Sequence, residues 1–266
     1  MSANPSTLFE PFVLSMLGGT PERRFNRMRD KLDLSWGALA DAEIPHTLRE
    51  EARETWTRIT YVEYRSASSM SAVAEALIAA RAPLDLSGLA SSFAYDELSH
   101  AEMCARVVGE LGGPTPLLHQ PQDLVYKRPS IRLRPLLRAA DIVVRVFCVA
   151  EAFALPMAQI AAKAAEKVPL IHEVLRRIAK DEASHAGFGW IFMDWVAPLL
   201  SARDRAYIAK AAQASIDAYR DIVENRPDHD GATLGWLSDR DFKTNGRRTL
   251  EMDVVKPLRA RDINVH

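Results

Sequence analysis

The chain has 266 residues, 48% of them apolar and 26% charged, with a formal net charge of −1 and a pI near 6.7, as expected of a single globular domain. No basic excess is left to track a phosphate backbone, because the basic runs at 23–31 and 127–138 are matched by acids elsewhere, and nucleic acid is not expected as a partner. The best membrane candidate, 142–162, is interrupted by Arg145, Glu151 and Pro156, the two cysteines form no CxxC pair, and the apolar stretch 8–17 is broken by Glu10 and Pro11; no membrane span, disulfide framework or signal peptide is expected, and the location is expected to be cytoplasmic.

Nothing in the chain alternates as a half-buried strand does, so an all-α fold is expected. The first long periodic segment covers 47–81, with Leu48, Ala52, Trp56, Ile59, Met70, Val73 and Leu77 at three- and four-residue steps. Ala82-Pro83 stops it, Ser87 is the expected N-cap of a second helix, and Gly112-Gly113-Pro114 ends that helix after Leu111. Prolines at 114, 116, 121 and 129 forbid a continuous helix over 114–134. Such a connector spans roughly 70 Å when extended, against roughly 36 Å for a 24-residue helix, so it can return the chain to the opposite end of a bundle. The helices on either side of it would then run parallel. A third helix is expected over 135–167 with a kink or bulge at Pro156, a fourth from Pro169 to near Pro198, and a fifth from a Ser201 cap to Asn225. Residues 226–266 show little periodicity and read as a docked arm or lid. One domain, 1–266, results, with a core over about 47–200, an extension over 1–46, and the fifth helix and tail over 201–266.

The second helix carries Asp96-Glu97-Leu98-Ser99-His100-Ala101 and the fourth carries Asp181-Glu182-Ala183-Ser184-His185-Ala186, nearly the same hexamer 85 positions later. Residues three apart on a helix share a face, so each Glu-His pair can reach one metal from one side of a bundle core. Each half needs one more carboxylate. Glu63 lies 34 residues before Glu97 and Glu151 lies 31 before Glu182, and antiparallel pairing brings each level with its motif. Both lone glutamates interrupt buried stripes, where four carboxylates without cations would cost several kcal/mol each, whereas two divalent ions neutralise them and leave the imidazoles neutral. The plain alternative is two surface Glu-x-x-His pairs with two satisfied core glutamates.

One Glu from each of two helices and a Glu-x-x-His from each of two others, with one long crossover, resembles the ferritin-like diiron-carboxylate superfamily over about 47–200. The resemblance implies an all-α ferritin-like four-helix bundle holding two Fe ions, although a site of this composition also accepts Mn or a mixture. It implies Glu97 and Glu182 as bridging ligands, Glu63 and Glu151 as terminal carboxylates, and His100 and His185 as one ligand to each ion. Asp96 and Asp181 match the aspartates that hydrogen-bond a ligating imidazole across the bundle, with Asp96 expected on His185 and Asp181 on His100. Phe93, Cys104, Phe147, Cys148, Leu155 and Gly189, one turn from the ligands, are the expected lining of a pocket for dioxygen and substrate.

Cys104 stands where ribonucleotide reductase small subunits carry their radical Tyr. A Cys there is similar to the bacterial multicomponent monooxygenases, whose third-helix Thr is replaced here by Leu155. The ligand spacings are also similar to those of the homodimeric aryl-amine N-oxygenases, whose additional His corresponds to Ile178. The expected function is thus a non-haem diiron oxygenase or oxidase acting with dioxygen on a small organic substrate by hydroxylation or N-oxygenation, in a homodimer, with electrons from a separate donor or from the substrate. A ferroxidase or peroxide-scavenging ferritin-like protein is the alternative, and a metal-free helical interaction module a second one. His46, His119, His172, His229 and His266 are expected at the surface, Tyr61, Tyr64 and Tyr95 away from the ligands, the tryptophans in packing roles, and Arg128, Arg132, Arg134 and Arg138 on a solvated face.

Overall fold

In a computed structural model, which describes residues 9–28, 34–39, 42–225 and 234–266, the described residues are mostly helical, with one short antiparallel pairing of β1 (Glu10–Pro11) with β2 (Leu118–His119) among them. A first helix, α1 (Gly19–Met28), lies in the extension and meets the bundle where Phe25 packs edge-on to Tyr95 at 5.5 Å.

The core begins with α2 (His46–Ala79), which is free of glycine and proline throughout. It stops two residues short of the expected end because Arg81 turns left-handed at φ 54, while the N–H groups of Ala82 and Arg81 reach back to the carbonyls of Leu77 and Ile78. The second helix, α3 (Leu84–Glu110), starts before Ser87. Pro83 is extended at φ −49, ψ 146, and the Ser87 N–H already bonds its carbonyl, so Ser87 lies inside the first turn and is no cap. Gly112 and Gly113, at φ 113 and 99, close α3 as expected, with the Gly113 N–H on the Val108 carbonyl.

The connector then climbs α2 from its start to its end. Arg53 holds the Gly113 carbonyl at 2.9 Å, Thr57 accepts from the Thr115 N–H at 3.1 Å, Ser68 accepts from the Tyr126 N–H at 3.0 Å, and Glu75 pairs with Arg128 at 2.6 Å. The next helix therefore begins beside the end of α2 and runs parallel to α3. It is one rod in three parts: α4 (Pro135–Val143), a π-helical segment (Val144–Glu151), and α5 (Ala152–Ala164). The irregularity expected at Pro156 takes the form of this wide segment just before it, where the chain adapts to a residue with no N–H to give. The rod ends at Ala164, ahead of Val168, which takes the extended conformation required before Pro169. The fourth rod, α6 (Pro169–Val196), pairs with α5 as α2 pairs with α3, and α6 also packs on α3.

A fifth helix, α7 (Ala202–Asn225), lies against α4 and the π segment. Ser201 and Asp204 cap it reciprocally: the Ser201 hydroxyl accepts from the Asp204 N–H at 3.1 Å, and the Asp204 carboxylate accepts from the Ser201 N–H at 2.9 Å. Arg134 beside Asp204, at 2.8 Å, lowers its pKa from 3.8 to about 2. A depressed carboxyl stabilises the fold above its unfolded pKa and stops doing so as pH falls through the folded value. Asp204→Asn should thus cost about 1 kcal/mol or less at pH 7, given solvent screening, and the difference in urea melts should shrink as pH falls from about 4 towards 2.

The tail is more regular than its sequence suggests. Ser238 caps α8 (Asp239–Thr249), a second π-helical stretch follows (Leu250–Val255), and then α9 (Lys256–Arg259); Leu250, Val254, Val255, Leu258, Ile263 and Val265 are buried against the bundle. The docked arm expected there is helical, and it lies on α5 and α7. The tail also pins the core near its start: the fully buried Trp56 donates its indole N–H to the Leu234 carbonyl at 2.9 Å. Trp56→Phe leaves that carbonyl short of a donor and should cost about 1–3 kcal/mol in chemical denaturation. Among the described residues no helix is long and apolar enough to cross a membrane.

Candidate metal centre

Four rods deliver six side chains to one place in the core: Glu63 from α2, Glu97 and His100 from α3, Glu151 from the end of the π segment, and Glu182 and His185 from α6. Their ligand atoms fall into two quartets, Glu63/Glu97/His100/Glu182 and Glu97/Glu151/Glu182/His185, with the atoms of each within 4.8 Å of one another. Glu97 and Glu182 belong to both. The first quartet places His100 Nδ1 at 3.5 Å from Glu63, 3.4 Å from Glu182 and 4.0 Å from Glu97. In the second, His185 Nδ1 lies 3.3 Å from Glu97, 3.3 Å from Glu182 and 3.8 Å from Glu151.

The far nitrogens are held crosswise. His100 Nε2 lies 3.3 Å from Asp181, and His185 Nε2 lies 3.4 Å from Asp96. Each aspartate accepts the Nε2 proton of the opposite motif's imidazole, which turns the Nδ1 lone pair towards the carboxylates. Asp181 is itself steadied by Arg177, whose Nε donates at 2.9 Å to the oxygen that His100 uses. Arg177 was not singled out from the sequence, although its place four residues before Asp181 on one helix face is a legible signal.

A lone pair aimed at carboxylate oxygens is repulsive unless something positive lies between them. Four buried atoms here lack a hydrogen-bond partner: Glu97 Oε1, His100 Nδ1, Glu182 Oε2 and His185 Nδ1. All four point into the cluster. Burial pushes the Glu97 carboxyl up to about 8, and burial with the neighbouring Glu182 pushes Glu151 up as well. Burial pulls the two imidazoles down, but the hydrogen-bonding carboxylates outweigh it and raise both. Such a cluster calls for a positive counterpart, either protons or cations. Two ligand atoms each about 2.1 Å from one ion lie about 3–4 Å apart, the spacing found in both quartets, so the donor set fits two divalent cations.

The surroundings of the quartets differ. Phe93 packs edge-on to His185 at 4.5 Å and is backed by Phe147 at 5.5 Å and Phe188 at 5.3 Å. Of the residues expected to line a pocket, Phe93, Phe147, Cys148 and Gly189 form this packed wall, while Leu155 is half-buried on α5. A Cβ on Gly189 would meet Phe147 Cβ at 2.8 Å and Cys148 Sγ at 3.1 Å, so α6 and the π segment are in direct contact there. Cys104 is fully buried, and burial with the charges of Glu63, Glu102 and Glu97 pushes its thiol well up, keeping it protonated. A cavity of about 640 Å³ lies elsewhere, on the outer side of α3, between Leu98, Ala101 and Ala105 and the Leu14–Met16 stretch with Phe25.

Other assignments differ from expectation. His119, expected at the surface, is buried, because the β1–β2 pairing draws Phe12 over it at 5.9 Å and Tyr61 beside it at 5.6 Å. The sequence also hid an ion pair, half-buried Arg145 to buried Asp141 at 2.9 Å, at the α4 end of the rod. Tyr219 of α7 packs on Phe153 at 4.9 Å, close enough to the cluster for the charges of Glu151 and Glu182 to act on its phenol. His229 falls outside the described residues. Comparison of the chain with protein-family models, curated proteins and solved structures found no match.

Proposed function

We propose that this protein is a ferritin-like non-haem diiron oxygenase or oxidase that uses dioxygen to oxidise a small organic substrate. The observation that carries the reading is the sharing of Glu97 and Glu182 between two quartets built from a duplicated motif, each quartet completed by one histidine turned inwards by an aspartate of the other motif. The long crossover that sets α4 parallel to α3 supports a ferritin-like connectivity. Two bound ferrous ions would supply the electrons that activate dioxygen.

The chain supplies the rest. Glu97 and Glu182 hold both positions at a fixed separation, and Glu63 and Glu151 complete one each. Asp96 and Asp181 keep the proton on Nε2, so that both imidazoles ligate as neutral groups. Phe93, Phe147 and Phe188 keep water from the His185 side, which favours oxidation of an organic molecule over release of reactive oxygen to solvent. Cys104 and Cys148 are both buried free thiols, so electrons for further turnovers come from a separate donor or from the substrate.

The test is a single-turnover experiment on anaerobically ferrous-loaded protein mixed with dioxygen. An oxygenase should oxidise two ferrous ions per chain and stop until reductant or substrate is added. Continued oxidation of many added ferrous ions per chain would assign the protein to the ferroxidase class instead.

A further inference from the structure

The quartets draw on the same residue types yet differ in what covers them. In the first, the Glu63 side chain is 16% exposed and stands on α2 beside half-buried Ser66 and exposed Val62. In the second, Glu151 is 9% exposed and His185 is fully buried. Phe93 covers His185, and Phe147 and Phe188 close over Phe93, their rings 4.8 Å apart. The shared ligands are deeper still, with Glu97 at 2% and Glu182 at 5%. A cation leaves a protein site by exchanging carboxylate oxygens for water one at a time, so the ligand that water reaches first governs its release. Glu63 is that ligand in the first quartet, whereas no ligand of the second is as open.

Resting on the two-cation reading above, we infer that the two positions are kinetically unequal. The Glu63/His100 position exchanges its divalent cation with solvent through the Glu63 carboxylate, and the Glu151/His185 position retains its cation behind the phenylalanine wall. The fold would therefore admit ions from the α2 side and keep one position filled while the other turns over, a route to a mixed-metal centre when two metals are present.

The experiment uses the full chain loaded with cobalt(II), freed of excess ion, and challenged with a large excess of EDTA while retained cobalt is followed by absorbance and metal analysis. Two release phases of equal amplitude are expected, with rates at least about 10-fold apart, the factor corresponding to about 1.4 kcal/mol in barrier. Glu63→Ala should remove the fast phase and leave about one slowly released ion per chain. Phe93→Leu, which thins the wall but keeps an apolar side chain, should speed the slow phase and leave the fast one unchanged. A single phase of two ions, a fast phase that survives Glu63→Ala, or a slow phase indifferent to Phe93→Leu would overturn the inference while leaving the two-cation reading intact. Retention of no cobalt would overturn both, and the initial stoichiometry separates that case from the others.

Discussion

Loading the protein with two equivalents of a divalent cation should raise its melting temperature by about 10 °C or more. A ligand that binds only the folded state stabilises it by about 4 kcal/mol at a thousandfold excess over its Kd, and a chain of this size gains about 2–4 °C per kcal/mol. Two ions acting on one buried cluster should comfortably exceed the threshold. The physical source is the cluster itself, in which four carboxylates and two inward-facing imidazole nitrogens lie within 4.8 Å of their neighbours in each quartet. Scanning calorimetry with manganese(II), cobalt(II) and anaerobic iron(II) measures the shift. His185→Ala should reduce it by more than half, because it removes a terminal ligand and leaves Asp96 without its crosswise partner. Unshifted melting with all three metals would count against the whole reading of the site.

The second large effect is steric. Gly189→Ala should destabilise the protein by about 3 kcal/mol, the upper end of the usual cost of overpacking. The added Cβ would lie 2.8 Å from Phe147 Cβ and 3.1 Å from the Phe147 carbonyl carbon, and a backbone atom cannot rotate away. The strain passes straight to the site: Gly189 is one turn beyond His185, and Phe147 is in the π segment that ends at Glu151. The variant should therefore lose cation from the Glu151/His185 quartet before the other. Gly187→Ala, on the same helix, is the control. Its Cβ meets nothing within 4 Å, and the substitution should stabilise by about 0.5–1 kcal/mol through helix propensity alone. Urea melts of the two variants side by side decide whether the effect is close packing or helix composition.

Much of the site was legible because its chemistry is written as a repeat. Two nearly identical hexamers locate Glu97, His100, Glu182 and His185, and helical periodicity places Glu63 and Glu151 level with them. The structure brings all six together. The rods α2, α3, α6 and α7 were visible for the same reason, each presenting an apolar stripe closed by a proline, glycine or cap. Where the stripe fails, so did the reading. Helix α8 is polar on nearly every side, with only Gly246 and Thr249 buried, so its one readable signal was the Ser238 cap ahead of Asp241. In the π segment Val144, Val146, Phe147, Cys148 and Val149 are all buried, and so dense an apolar run leaves no clear period to betray a change of pitch. Ser87 looked like a cap because of its residue type, but the turn had already been started by Pro83. The burial of His119 depends on a pairing with residues more than 100 positions earlier, which no local pattern records.

Whether two metals bind at these six residues is decided by metal analysis of the protein after anaerobic ferrous loading and removal of unbound ion, beside Glu97→Ala treated identically. Glu97 is common to both quartets, so the parent should hold two irons per chain and the variant less than about half an iron per chain, with folding verified by circular dichroism. Equal iron in the two proteins, or a parent that retains none, would contradict a two-metal centre at these six residues.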